Sequence, residues 1–146
     1  KTYPEAVFNK HNQEGFYFLM QAGNLIGIEV FIAYAFSENE LVGGMYIIEP
    51  AINKDSKDRL RDFNDISSKL NEKYTVERDD RWISDNFKNR PNDLSFAISI
   101  GDVILNEKID VEDTYIVHIL SDEEHLLMYR SSKWLEILEE EQSDDF

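Results

Sequence analysis

The stretch from Ile28 to Glu49, IEVFIAYAFSENELVGGMYIIE, constrains the fold more than any other part of the chain: two apolar runs of period two are joined by a short polar link. Strand side chains alternate between faces, so this pattern specifies an antiparallel hairpin and, with it, a sheet. Residues 37–40, SENE, close the hairpin, with Asn39 at positive φ because Asn tolerates the left-handed region such turns demand. Pairing Phe36 with Leu41 places Ile28, Val30, Ile32, Tyr34 and Phe36 on one face together with Leu41, Met45 and Ile47. The other face then carries Glu29, Phe31, Ala33, Ala35, Gly44, Tyr46 and Ile48. Both faces need a cover, and the first is the heavier.

A cover follows directly. KDSKDRLRDFNDISSKLNEKY, residues 54–74, sets Leu60, Phe63, Ile66, Leu70 and Tyr74 at helical spacing, with Asp55 or Asn53 able to cap the start. Asp55 with Arg59 and Asp65 with Lys69 are favourable four-residue pairs for its wet side. Burying such side chains at about 1.5–3 kcal/mol each outweighs the weak intrinsic preference of the helix. The spacing therefore predicts one long helix packed on the heavier face.

Around this unit the reading is coarser. Residues 1–15 are expected as an irregular arm or short helix, residues 16–21 as a strand, and residues 22–24 as a turn into a long strand over 26–36. TVERDDRWISDNFKNRPNDL, from Thr75, reads as a long polar connection turning near Pro91 and anchored by Trp82, Ile83 and Phe87. Strands are expected over 95–105, 113–120 and 125–131, the last two joined at SDEE. The fold class is α+β: one domain over 1–146, with a single, mostly antiparallel sheet of five or six strands and the helix on one face. Residues 133–146 read as an acidic amphipathic tail whose Trp134, Leu135, Ile137 and Leu138 are expected to cover the second face, with a partner chain as the alternative cover.

Several functions are disfavoured by composition. Thirty acidic against fifteen basic residues give a net charge of −15, which repels nucleic acid and anionic lipid; its ordinary account is solubility, and its sharper one a surface that meets a basic protein partner. With 42% hydrophobic residues the chain has enough apolar surface to fold in spite of that charge. The absence of cysteine removes disulfides, thiolate metal sites and a Cys nucleophile, and suits the cytoplasm and an exported location equally. The longest greasy run, residues 25–36, is too short for a membrane span. The chain begins at Lys1, which leads us to expect an upstream piece, an export signal among the options. Neither compartment nor oligomeric state is legible.

AG at 22–23, YAFSENELVGGMYI, LNEKY, RW, PNDLSFAISIG, YRSSKWLEILEE and the closing DF, taken in order, resemble a family of uncharacterised small bacterial proteins. The resemblance spans residues 22–146 and implies a hairpin, a helix ending in Lys-Tyr, a Trp-bearing strand and a Pro-x-Asp turn, with no reaction attached. Thr75 departs from it, standing where the resemblance implies a helix-ending Gly.

Three groups of residues are candidates for chemistry. His118 and His125 flank the SDEE turn and share a face if the turn is a two-residue loop at 122–123; with Asp122 they form a possible transition-metal set. In the bland reading they are half-buried strand residues. Trp82, Phe87 and Trp134, within an aromatic set that includes Tyr34 and Tyr46, are candidates for a binding surface, where the bland reading is core packing. The acidic clusters fall in expected turns and the tail, where solvated charge is the ordinary explanation. LVGGM lacks the residues of a phosphate loop, and no Ser sits in a nucleophile elbow. The reading leans away from an enzyme and expects no cofactor. It points to an acidic interaction or accessory domain, with two alternatives: an immunity or inhibitor protein masking a basic enzyme, and a metal-assisted hydrolase.

Overall fold

A computed structural model describes residues 7–10, 16–48 and 54–131. Nine strands, β1 (Val7–Lys10), β2 (Phe16–Leu25), β3 (Ile28–Ser37), β4 (Glu40–Ile47), β5 (Glu77–Arg78), β6 (Arg81–Trp82), β7 (Val103–Val111), β8 (Thr114–Leu120) and β9 (His125–Ser131), join in one antiparallel sheet. Its path runs β1-β2-β3-β4-β9-β8-β7-β5, and β6 pairs with β7 beyond the end of β5. Two hairpin meanders thus meet edge to edge at β4 and β9. Between them the chain crosses the sheet through α1 (Ser56–Lys73) and arrives at the far edge. A second, short helix, α2 (Leu94–Ser99), precedes β7.

The expected helix is present and packs as its spacing requires. Asp55 caps it, its Oδ1 accepting from the Asp58 amide at 2.9 Å, and Phe63, Ile66 and Leu70 are buried beneath it. Ile66 and Leu70 meet Ile28, Val30, Ile48, Ile109, Ile116 and Leu127, while Leu25, Ile32 and Tyr46 border this cluster. Phe63 belongs to a second cluster with Ala97, Ile98, Val103, Leu105 and Leu120. The helix ends at Tyr74 in extended conformation, without a left-handed cap, as the Thr at 75 requires. The expected surface pairs do not describe Arg59 and Lys69: Arg59 turns inward and donates to the Asp122 carbonyl at 3.1 Å, and Lys69 lies 3.7 Å from Glu72.

Several expectations are corrected. The sheet has more than five or six strands, because part of the N-terminal arm (Val7–Lys10) and part of the polar connection (β5, β6) also pair. The first turn is at Ile26-Gly27 and not at 22–24, since Asn24 Oδ1 accepts from the Gly27 amide at 2.8 Å and both turn residues have positive φ. Asn39 does adopt positive φ, at 67°, and Phe36 does pair with Leu41. A bulge then breaks the register: Ala35 pairs with Gly43, leaving Val42 extra. One additional residue reverses the faces beyond it, so Tyr46, and not Met45 or Ile47, lies with Ile32 under the helix side.

Residues 95–105 are not one strand. The alternation Phe96, Ile98, Ile100 imitates period two, yet Phe96 and Ile100 are exposed and adjacent Ala97 and Ile98 are buried, which is a helical face. A short 3-10 turn at Pro91–Asp93 starts this helix and Gly101, at φ 75°, ends it. Its amide bonds to the Ile98 carbonyl at 3.0 Å and that of Asp102 to the Ala97 carbonyl at 2.9 Å, the paired closure of a left-handed glycine cap. Trp82 and Phe87 do anchor the connection against the Phe63 cluster, whereas Ile83 is exposed. The tail expected over the second face, with Trp134, lies outside the described residues. On that face Ala33, Ala35 and Val42 are buried.

Among the described residues no helix is long and apolar enough to cross a membrane.

Candidate functional site

The helix covers only part of its face of the sheet. Beyond it the strands leave a trough of two adjoining cavities, one of about 340 Å³ and one of about 280 Å³. Period two builds the lining: Tyr17, Leu19, Tyr34, Phe36, Gly44, Tyr46 and Tyr129 fall on one face through the pairings Tyr17–Phe36, Leu19–Tyr34, Tyr34–Gly44 and Gly44–Tyr129. Gly44 sits at the middle, where an added Cβ would meet only the Ala33 carbonyl at 3.5 Å, so the absent side chain is part of what makes the cavity. Thr114 and Ser131 supply hydroxyls at one end and Asn39 an amide at the other.

Tyr46 and Tyr129 meet edge to face at 6.0 Å, and Gln21 Nε2 donates to the Tyr34 hydroxyl at 3.4 Å. Burial, with Tyr46 and Tyr74 beside it, pushes the Tyr129 hydroxyl up to about 12, so it stays a neutral donor and acceptor across the physiological range. A third cavity of about 190 Å³ shares Tyr129 and runs on beneath Tyr74 at the end of α1. Tyr17, Tyr34, Tyr46, Tyr74 and Tyr129, five of the chain's seven tyrosines, therefore line cavities on one side of the sheet.

The histidines belong to a different and closed arrangement. Leu120 pairs with His125 and His118 with Leu127, so the two rings share a face, the outcome expected for a tight turn. They are fully buried and not half-buried, because Phe63 of α1 stacks on His118 at 4.0 Å between centroids. His118 Nε2 and His125 Nε2 lie 2.8 Å apart, and His118 Nδ1 is 2.8 Å from Glu107 Oε1. Ser67 Oγ, from α1, donates to Glu107 Oε2 at 2.7 Å.

These bonds fix the tautomers. Burial alone would raise Glu107, but hydrogen bonds from His118 and Ser67, with the charge of Arg78, hold its carboxyl below the usual range and ionised. His118 must then donate from Nδ1 and accept at Nε2, so His125 donates from Nε2 and its Nδ1 carries a bare lone pair. That Nδ1 is buried with no hydrogen-bond partner. Burial lowers both imidazoles, that of His125 to about 3, with Arg59 and Lys54 adding to the effect. The line Ser67–Glu107–His118–His125 is a hydrogen-bonded row with neutral imidazoles, fully buried from Glu107 inward.

Asp122 does not join it. Its side chain is on the exposed turn and its carbonyl faces Arg59. Among the described residues no group of three or more His, Cys, Asp or Glu side chains is placed to hold a metal ion. Trp82 and Phe87 are half-buried, Phe87 meeting Phe96 edge to face at 5.5 Å; Trp134 lies outside the described residues. Two things were missed from the sequence: Tyr17 and Tyr129 as partners of Tyr34 and Tyr46, and Glu107 as the partner of His118. The signal for Glu107 was present, since it stands in phase with the buried positions Val103, Leu105 and Ile109. No family model matches the chain, and no curated protein and no solved structure matches it.

Proposed function

We propose that the chain is a non-catalytic interaction domain that receives a basic segment of a partner protein along the tyrosine trough. The observation that carries this reading is the convergence of Tyr34, Tyr46 and Tyr129 around Gly44, with Tyr17 lining the second cavity on the same face. Acidic turns stand at both ends: Glu38 and Glu40 flank Asn39, and Glu112 and Asp113 precede Thr114. Ring faces attract cations and bury large apolar area at low entropic cost, and the net charge of −15 steers a basic partner towards them. Inhibition of a basic enzyme is a special case of the same docking. The hydrolase reading has less support, because the Nε2 atoms of His118 and His125 are hydrogen-bonded to each other in the core and Asp122 lies on the exposed turn.

A synthetic peptide alternating Arg and Phe tests the proposal by titration calorimetry. Binding is expected to weaken roughly tenfold between about 50 and 300 mM salt, as screening of exposed charge requires. Gly44→Leu, which fills the middle of the trough, is expected to abolish binding and leave the thermal midpoint within a few degrees. A peptide that binds Gly44→Leu as well as the parent, or binds neither, would overturn the reading.

A further inference from the structure

The third cavity carries an inference independent of the trough. It lies between the β2–β3 turn and the last two turns of α1, with an apolar interior that includes Leu25, Leu70 and Tyr129. Three features of this place are unfavourable or unexplained in the protein by itself. Ile26 occupies the turn at φ 47°, a conformation that β-branched residues avoid and in which Asn or Gly is at ease, and its side chain is 46% exposed. Lys69 and Lys73 both line the cavity one helical turn apart, where like charges repel. Among the described residues that line this cavity none is acidic.

We propose that this crevice binds a medium-chain fatty carboxylate, its alkyl chain between Ile26, Leu25, Leu70 and Tyr129 and its carboxylate between Lys69 and Lys73. One ligand accounts for all three features. An alkyl chain gives the Ile26 side chain an apolar contact that the turn itself does not require. A carboxylate relieves the lysine repulsion at this cavity. The counter-charges nearby are weak competitors: Glu72 is 3.7 Å from Lys69 with both side chains more than 60% exposed, and Lys73 has no ion-pair partner among the described residues. The carbonyl end of α1 opposes an anion, and Lys73, in its last turn, is placed to offset it. At about 190 Å³ the space suits an alkyl chain of medium length, and octanoate is the probe.

The test is backbone-amide NMR and calorimetry on the full chain with octanoate, octanol and acetate. Octanoate is expected to shift the signals of residues 25–27, 69–74 and 129 saturably; octanol is expected to bind at least tenfold more weakly, and acetate to leave them unmoved. Lys69→Gln with Lys73→Gln is expected to weaken octanoate about tenfold. Ile26→Asn separates the proposal from a merely structural role: it should raise the thermal midpoint, since Asn-Gly suits this turn, and at the same time weaken octanoate severalfold. Equal binding of octanoate and octanol, shifts elsewhere or none, or unchanged affinity in Ile26→Asn would each overturn the assignment. The peptide titration of the trough is untouched by either result.

Discussion

His118 is held by a carboxylate on one ring nitrogen and by a second imidazole on the other, and that arrangement decides what single substitutions do in this core. Replacing it with Leu leaves Glu107 with the Ser67 hydroxyl alone and an ionised carboxylate buried without its main partner. His118→Leu is therefore expected to cost about 3–5 kcal/mol in urea unfolding. Adding Glu107→Leu should restore a large part of that loss, because an apolar pair of similar size has no charge to desolvate. A double variant no more stable than the single one would show that the polar chain is not where the energy lies. At the same scale, Ile26 is a side chain whose backbone, at φ 47°, argues against it, and the proposed ligand contact offers it a reason that turn formation does not.

Among the elements, α1 was the most legible. Its apolar spacing and its Asp cap are local properties, and both are seen in the structure. Asp55→Ala removes the bond to the Asp58 amide and is expected to lower stability by about 1 kcal/mol, read as a shift of the urea midpoint with the slope unchanged. The first part of the strand expected over 95–105 was misread for an equally local reason. Phe96, Ile98 and Ile100 alternate, and over so short a run the pattern of a strand and that of a one-and-a-half-turn helix overlap. What settles it is Gly101 as a left-handed cap and Ala97 packing against Phe63, and only the second of these is a tertiary fact. The bulge at Val42 is the opposite case: nothing local in ELVGGMYI announces which residue is extra, and the choice decides whether Met45 or Tyr46 faces the helix.

For the whole molecule, the buried histidines link stability to pH. His125 is about 3 in the folded state against an ordinary value near 6.5, so below the latter the unfolded chain binds a proton that the folded one does not. Stability is then complete above pH 6.5 and falls as pH drops from there towards 3. His125 alone is expected to remove about 2 kcal/mol between pH 7 and pH 5, with His118 adding in the same direction. Urea unfolding at these two pH values checks it. His125→Leu should flatten the dependence, and an unchanged slope in that variant would show that other groups carry it.

By itself the sequence determined the antiparallel hairpin, its turn at Asn39, the helix that covers the heavier face and its cap, because each rests on periodicity or on a preference expressed within a few residues. Whether His118 and His125 share a face was conditional on the turn length in the sequence, and the pairing of Leu120 with His125 settled it. Only the tertiary structure decided that Glu107 bonds to His118, that β9 closes against β4, and that the tyrosines of β3, β4 and β9 gather around Gly44. These are contacts between segments far apart in the chain. Their pairing is selected by the burial and register of the assembled sheet, so a reading along one strand at a time has no access to it.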